Sequence, residues 1–155
     1  MVQGFKWFLT CSKMVLINFF FEKNKKLLLK KNILRRWVKW VVKEESKDLG
    51  CVNFVFCSDD YLLEINKKHL KHTSLTDVIT FDFSENEKTI EGDIYISTKR
   101  IDENAKKYSV SFNQELLRIM IHGMLHLIGY SDKNQEGKTT MFSKENKYLS
   151  MYNKK

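Results

Sequence analysis

The length, composition and charge of the chain indicate one globular domain and exclude several other classes of protein. A length of 155 residues, 43% of them hydrophobic, is enough for a buried core that needs no disulfide bonds. No apolar run approaches the roughly 20 residues that a bilayer span requires, so the sequence predicts no membrane partner. The net charge of +8 favours an acidic partner such as nucleic acid, although scattered lysines more often form an ordinary solvated surface.

The cysteines and the N-terminal segment indicate a protein of the reducing cytoplasm. Cys11, Cys51 and Cys57 are odd in number and form no Cys-x-x-Cys pair, and we expect the last two to be buried thiols. Residues 1–13 lack the features of a secretory signal, and the regular hydrophobic pattern begins only after them. We therefore expect residues 1–13 to be a leader outside the fold and residues 14–155 to form a single domain.

Hydrophobic periodicity and capping residues predict nine elements in the order β-α-β-α-β-β-α-α-α. The predicted strands lie at about 15–21, 51–57, 78–83 and 93–97, and the helices at about 27–47, 59–68, 98–108, 112–128 and 138–152. Gly50 is expected to end the first helix, Ser58 to cap the second, and Ser111 and Gln114 to form a capping box. This order implies an α+β domain with one mixed sheet of about four strands and helices packed on it.

The polar face of the first helix has two interpretations. It consists of Arg35, Arg36, Lys39 and Lys43. Such a face can contact RNA phosphates, but a simple solvent-exposed surface is the better explanation.

The helix at 112–128 is apolar nearly all round, which predicts a buried central helix. Arg118, His122 and His126 interrupt it at intervals of four residues and therefore form one polar stripe. Two imidazoles one turn apart can bind the same metal ion, and Gly129 lets the chain reverse so that Asp132 can supply a third ligand. The alternative is a pair of buried core histidines, which would leave several polar groups without partners.

A site with three protein ligands is typical of catalytic zinc, because the fourth position of the tetrahedron stays open. Zinc peptidases with a His-Glu-x-x-His motif have their general base directly after the first histidine. Here Gly123 occupies that position. The sequence therefore predicts a metal-dependent hydrolase and argues against a peptidase.

Several segments resemble one known family. The run at 122–130 (HGMLHLIGY) resembles the signature of the YbeY family, single-domain metal-dependent endoribonucleases of bacterial ribosomal RNA maturation. The segments at 76–81 (TDVITF) and 91–94 (EGDI) are similar to two strands of that family. Residues 104–105 and the spacing of Met141, Glu145 and Leu149 agree as well.

The resemblance implies a cytoplasmic, zinc-dependent endoribonuclease for single-stranded RNA. Its implied roles are 16S rRNA 3′-end maturation and small-subunit quality control, with ribosomal RNA, the small ribosomal subunit and ribosome-assembly proteins as partners. His122, His126 and Asp132 would bind the zinc ion. Arg118 is a candidate catalytic residue that either stabilises the developing phosphate charge or pairs with a buried acid. The alternatives are a non-enzymatic ribosome-assembly factor with a structural metal, and a metal-dependent hydrolase of another substrate.

The chain departs from the family pattern at two positions. Asp132 stands where the family most often has a third histidine, and aspartate is itself a zinc ligand. Leu70 stands where the family often has an arginine. The basic role of that arginine would then fall to another residue, and the candidates are Lys68, Lys71, His72 and Arg118.

Overall fold

The computed structural model describes residues 16–22, 27–70 and 76–152. Their elements follow the predicted order, with a π-helical turn added after the second helix. They are β1 (Leu16–Phe21), α1 (Lys31–Glu44), β2 (Asp48–Cys57), α2 (Asp59–Ile65), the π-helical turn (Asn66–Leu70), β3 (Val78–Asp82), β4 (Thr89–Ser97), α3 (Thr98–Lys107), α4 (Phe112–Ile128) and α5 (Gln135–Tyr152). The expected leader at 1–13, with Cys11, lies outside the described residues, so its separation from the domain stays a prediction.

The four strands form one mixed sheet in the order β1-β2-β4-β3. The pairs β1–β2 and β2–β4 are parallel, and β3 pairs with β4 as the predicted antiparallel hairpin. Parallel neighbours need long crossover connections, and α1 supplies the connection between β1 and β2. The predicted α+β domain with one mixed four-stranded sheet is confirmed.

The two faces of the sheet differ because side chains alternate along each strand. On β4, Ile94 lies against α4, whereas Tyr95 packs on the opposite side with Phe81 and with Tyr61 of α2. The main core contains the buried face of α1 and most of α4. No helix in the described ranges combines the length and the apolar character that a bilayer span requires.

The predicted end of the first helix was wrong. Helix α1 stops at Glu44, and Gly50 lies inside β2, close to an irregularity in its pairing with β4. The chain leaves the helix through Ser46, which has a φ of 55°, while the backbone N–H of Lys47 donates to the carbonyl of Val42. That left-handed position is usually glycine, and a serine there gave no signal in the sequence.

Three other observed boundaries differ from the predicted ones for local reasons. Helix α5 starts at Gln135 rather than near residue 138, because the side chain of Asn134 accepts a hydrogen bond from the backbone of Gly137 at 2.7 Å. Strand β4 begins at Thr89, since its first residues pair with the start of β2. Helix α2 ends at Ile65, and the predicted remainder forms the π-helical turn.

The two described cysteines have different environments. Cys57 is buried, as predicted, and burial raises the pKa of its thiol to about 12. Cys51 is only partly buried, so the prediction of a core thiol was wrong there. Its side chain lies on the polar side of β2 with Asn18 and Asn53, opposite the core residue Val52.

Gly123 sets how closely α4 approaches the sheet. A Cβ atom at this position would lie 2.6 Å from Cγ2 of Ile94 and 3.4 Å from Cγ2 of Val78. The first distance is shorter than any normal carbon contact, so a larger side chain requires α4 or β4 to move. A glutamate directly after His122 would therefore clash with Ile94.

We expect Gly123→Ala to destabilise the protein, although this change normally stabilises a helix interior by about 1 kcal/mol. Overpacking against Ile94 should cost about 1–3 kcal/mol and outweigh that gain. Urea unfolding of Gly123→Ala tests this, with the same change in an Ile94→Ala background as the control. Alanine should stabilise the control because the space is then free, and a gain of stability in both backgrounds would refute the packing argument.

Candidate metal centre

Helix α4 has well-defined ends, and these determine where its histidines lie. At its start, Ser111 Oγ accepts from the backbone of Gln114 at 3.1 Å, and Gln114 Oε1 accepts from the backbone of Ser111 at 2.8 Å. At its end, Gly129 has a φ of 116°, and the N–H of Tyr130 donates to the carbonyl of Leu125. Both predicted caps are confirmed, and the chain after Gly129 turns back toward the last turn of the helix.

His122 and His126 direct the same ring nitrogen toward a common point. Their Nε2 atoms lie 3.0 Å apart. The ring centroids are 4.6 Å apart and the rings are nearly perpendicular, with an interplanar angle of 87°. The predicted polar stripe therefore places two imidazole nitrogens where one ion could contact both.

The turn after Gly129 brings Asp132 to the same point. Its Oδ2 atom lies 3.7 Å from Nε2 of His122, and its Oδ1 atom lies 3.8 Å from Nε2 of His126. One ligand atom from each of the three residues fits within 4.8 Å of the others. The side chains are 19%, 26% and 41% exposed for His122, His126 and Asp132, so the cluster is open to small solutes.

The hydrogen bonds of the two rings show that this donor set fits a metal ion. Nδ1 of His122 lies 2.6 Å from Oε1 of Glu145, and Nδ1 of His126 lies 3.0 Å from the carbonyl oxygen of Tyr130. A carbonyl and a carboxylate accept hydrogen bonds, so each Nδ1 carries a proton. In the neutral rings both Nε2 atoms then present lone pairs toward each other and toward Asp132, an arrangement that a cation stabilises.

The electrostatics also favour the form of His126 that binds metals. Burial lowers the pKa of His126, and the neighbouring His122 lowers it further, which outweighs the opposite effect of Asp132. The ring is therefore neutral at pH 7. Metal ions bind the neutral form, so no proton has to be displaced from Nε2.

Glu145 on α5 is a site residue that the metal-ligand pattern alone did not indicate. It is buried, with its side chain 7% exposed, and it holds Nδ1 of His122. A carboxylate that accepts from a ligand histidine fixes the orientation of the ring and raises its basicity. The sequence contained two signals. Glu145 is an acid between Met141 and Tyr148 on the buried side of α5, and it belongs to the spacing of residues 141, 145 and 149 that resembles the family.

A second carboxylate, that of Glu45 directly after α1, contacts both segments next to the cluster, and its side chain is 8% exposed. Its Oε2 accepts from the hydroxyl of Tyr130 at 2.7 Å, and its Oε1 accepts from Nζ of Lys144 at 2.7 Å and from the hydroxyl of Tyr148. Burial alone would raise the pKa of Glu45, but these hydrogen bonds outweigh it and hold the pKa below its usual value. Glu45 is therefore ionised at neutral pH.

Arg118, the candidate catalytic residue, forms a two-bond ion pair with a buried acid. Its Nε and Nη2 atoms lie 2.8 Å and 2.6 Å from the carboxylate oxygens of Glu115, whose side chain is 2% exposed. The guanidinium also lies 3.8 Å from Asp77 and 3.9 Å from Glu145. Arg118, which lies on the same stripe as the histidines, is thus surrounded by carboxylates.

The other candidates for a phosphate contact are only partly described. Lys68 is exposed in the π-helical turn, the side chain of Leu70 is not described, and Lys71 and His72 lie outside the described residues. His69, in the same turn, is exposed, and its ring lies 5.4 Å from that of Phe81 at an interplanar angle of 76°.

The basic face of α1 is divided between two environments. Arg36, Lys39 and Lys43 are exposed. Arg35 instead donates to the carbonyl of Ile17 at 3.0 Å and lies over the ring of Phe19. Arg35 is therefore partly committed to β1, and the other three form the part of this face that an anionic partner can reach.

The fold and the cluster together define an α+β domain with a candidate metal centre on its central helix. The sequence model of the family described as Endoribonuclease YbeY matches residues 19–153. The chain therefore belongs to the YbeY family, as its sequence motifs predicted.

Two curated relatives, both named Endoribonuclease YbeY, show the extent of the similarity. The protein of Flavobacterium psychrophilum is 49% identical over 119 residues, which cover 77% of this chain and 84% of the relative. The protein of Karelsulcia muelleri is 45% identical over 140 residues, covering 90% and 98%. Among solved structures, the solution structure of TM1509 from Thermotoga maritima matches with a TM-score of 0.63 and 34% identity, covering 88% of this chain and 89% of that one.

Proposed function

We propose that this chain is a zinc-dependent endoribonuclease that cleaves single-stranded RNA during 16S rRNA 3′-end maturation and small-subunit quality control. The convergence of His122, His126 and Asp132 is the observation that carries the proposal, since these side chains could hold a metal ion in a member of a family named for endoribonuclease activity. The partners would be ribosomal RNA, the small ribosomal subunit and ribosome-assembly proteins. The place of action would be the cytoplasm.

The residues around the cluster support a catalytic site. Three protein ligands leave a fourth position for substrate, which is the arrangement of catalytic zinc. A bound zinc-class ion supplies Lewis acidity toward a phosphodiester and activates water. Glu145 and the carbonyl of Tyr130 keep the two imidazoles oriented, and Asp132 adds a negative charge at the exposed side of the cluster.

RNA binding would depend on exposed cations outside the metal centre. The net charge of +8 and the exposed Arg36, Lys39 and Lys43 of α1 provide attraction for phosphates without base specificity. Arg118 is less available for this purpose, because two of its donors already bind Glu115. Its pairing with a buried acid supports a structural role.

The proposal predicts that the zinc-loaded protein cleaves precursor small-subunit rRNA, that a chelator stops the reaction, and that added zinc restores it. His126→Ala should be inactive, because it removes a ligand that faces both His122 and Asp132. His69→Ala removes an exposed imidazole in the π-helical turn and serves as the matched control with normal activity. Gel analysis of the RNA fragments measures all five reactions.

The same assay distinguishes the alternatives. Tight RNA binding without metal-dependent cleavage would favour an assembly factor with a structural metal. Turnover of a peptide or another substrate in place of RNA would favour a different hydrolase. Cleavage that survives both the chelator and His126→Ala would contradict the proposed centre.

A further inference from the structure

We infer that Glu45, directly after helix α1, is a positioning residue of the metal centre. It holds the loop at 129–134, which carries Asp132, and helix α5 in a fixed arrangement. The inference rests on the proposed metal centre and concerns a residue far from it in sequence. Glu45 lies outside the cluster, so any effect on the ion has to pass through its neighbours.

The first connection runs through the loop at 129–134. Glu45 accepts from the hydroxyl of Tyr130 at 2.7 Å, and the carbonyl oxygen of the same tyrosine lies 3.0 Å from Nδ1 of His126. Asp132 follows Tyr130 by two residues. The bond to Glu45 therefore restrains the segment that orients one histidine and supplies the carboxylate of the cluster.

The second connection runs through α5. Glu45 accepts from Lys144 at 2.7 Å and from the hydroxyl of the fully buried Tyr148. Between these two residues in sequence lies Glu145, which holds Nδ1 of His122 at 2.6 Å. Restraining this stretch of α5 also restrains the orientation of the other histidine.

The two connections meet on one side chain that has little freedom. The side chain of Glu45 is 8% exposed, and Nζ of Lys144 lies 5.0 Å from the ring centroid of Tyr130, so the two connections also touch each other. Without this carboxylate, Lys144 and the two tyrosine hydroxyls would lose their shared acceptor. The loop and α5 could then shift independently, and the distances between the ligand atoms of His122, His126 and Asp132 would no longer be fixed.

The test measures zinc affinity of the full-length protein by competition with a chromophoric chelator, together with the visible absorption of the cobalt-substituted protein. Glu45→Ala should weaken zinc binding by about tenfold, the lower end of the loss caused by removing an outer-shell partner. It should also alter the cobalt spectrum, which reports the ligand geometry. Glu45→Gln retains an acceptor for Lys144 and can bond Tyr130, so it should recover most of the affinity.

Tyr130→Phe separates the loop connection from a general loss of stability. It removes only the hydroxyl of a half-buried side chain and leaves the backbone carbonyl that holds His126. It should weaken zinc binding in the same direction as Glu45→Ala. The two changes combined should weaken binding by less than the product of their separate effects, because they break the same connection.

Asp59→Ala is the matched control. Asp59 is also a buried carboxylate, and it is paired with Arg100 and Ser97. It lies beyond the opposite end of the ten-residue strand β2, about 30 Å from Glu45 at roughly 3.3 Å per residue. It should lower the stability of the fold and leave zinc affinity and the cobalt spectrum unchanged.

The outcomes separate this inference from the proposed function. Zinc binding by the wild-type protein with equal affinity in Glu45→Ala and Tyr130→Phe would overturn the positioning role alone. An equal loss of affinity in Asp59→Ala would also overturn it, because the effect would then be one of overall stability. Failure of the wild-type protein to bind zinc would overturn the metal centre and the positioning role with it.

Discussion

Asp132→Ala is expected to lower zinc affinity by more than about 100-fold, which exceeds the usual effect of losing an outer-shell partner. The carboxylate faces both Nε2 atoms at 3.7 and 3.8 Å, so its removal leaves two imidazoles that are too few to hold the ion firmly. The fold should survive because the side chain of Asp132 is 41% exposed and lies outside the core. Calorimetric titration with zinc and urea unfolding of the metal-free protein measure the two properties separately.

Asp132→His provides the informative comparison, since it replaces the carboxylate with an imidazole, the same type of ligand as the other two residues of the cluster. It should bind zinc well. It should bind manganese less well relative to zinc than the wild type does, because carboxylate oxygen suits harder ions and imidazole does not. If Asp132 served only to shape the turn after Gly129, Asp132→Ala and Asp132→His would have equal affinities for both ions, and the residue would leave the proposed ligand set.

Arg118→Met is expected to destabilise the metal-free protein by about 3 kcal/mol. The reason is that Glu115, 2% exposed, would lose its two-bond partner and remain as a buried unpaired charge. The estimate takes the lower end of the usual range because Arg118 itself is 30% exposed. Urea unfolding at pH 7 measures the change.

The double variant Arg118→Met/Glu115→Gln separates the two proposed roles of Arg118. It removes both charges, so it should recover most of the lost stability. If Arg118 only pairs with Glu115, the double variant should also cleave RNA at nearly the wild-type rate. A stable double variant that binds zinc but does not cleave RNA would show that Arg118 acts on the substrate. Wild-type stability in Arg118→Met would contradict the pairing role.

Local patterns in the sequence determined most of the fold and the centre of the site. The buried helix α4, its capping box and the left-handed Gly129 depend on residues within four positions of one another, so periodicity and capping rules were sufficient. The same holds for the spacing of His122 and His126. The end of α1 was missed because Ser46 adopts a conformation that is usually reserved for glycine.

Tertiary structure alone decided which groups hold the two imidazoles in place. Glu145 lies 23 positions from His122, and Glu45 lies 85 positions from Tyr130. Whether such acids face a histidine, a tyrosine or solvent depends on how α1 and α5 pack against α4, and helical periodicity shows only which side of each helix is buried. The candidate metal ligands were therefore readable from the sequence, whereas the hydrogen bonds that orient them arise only when distant helices are brought together by the core.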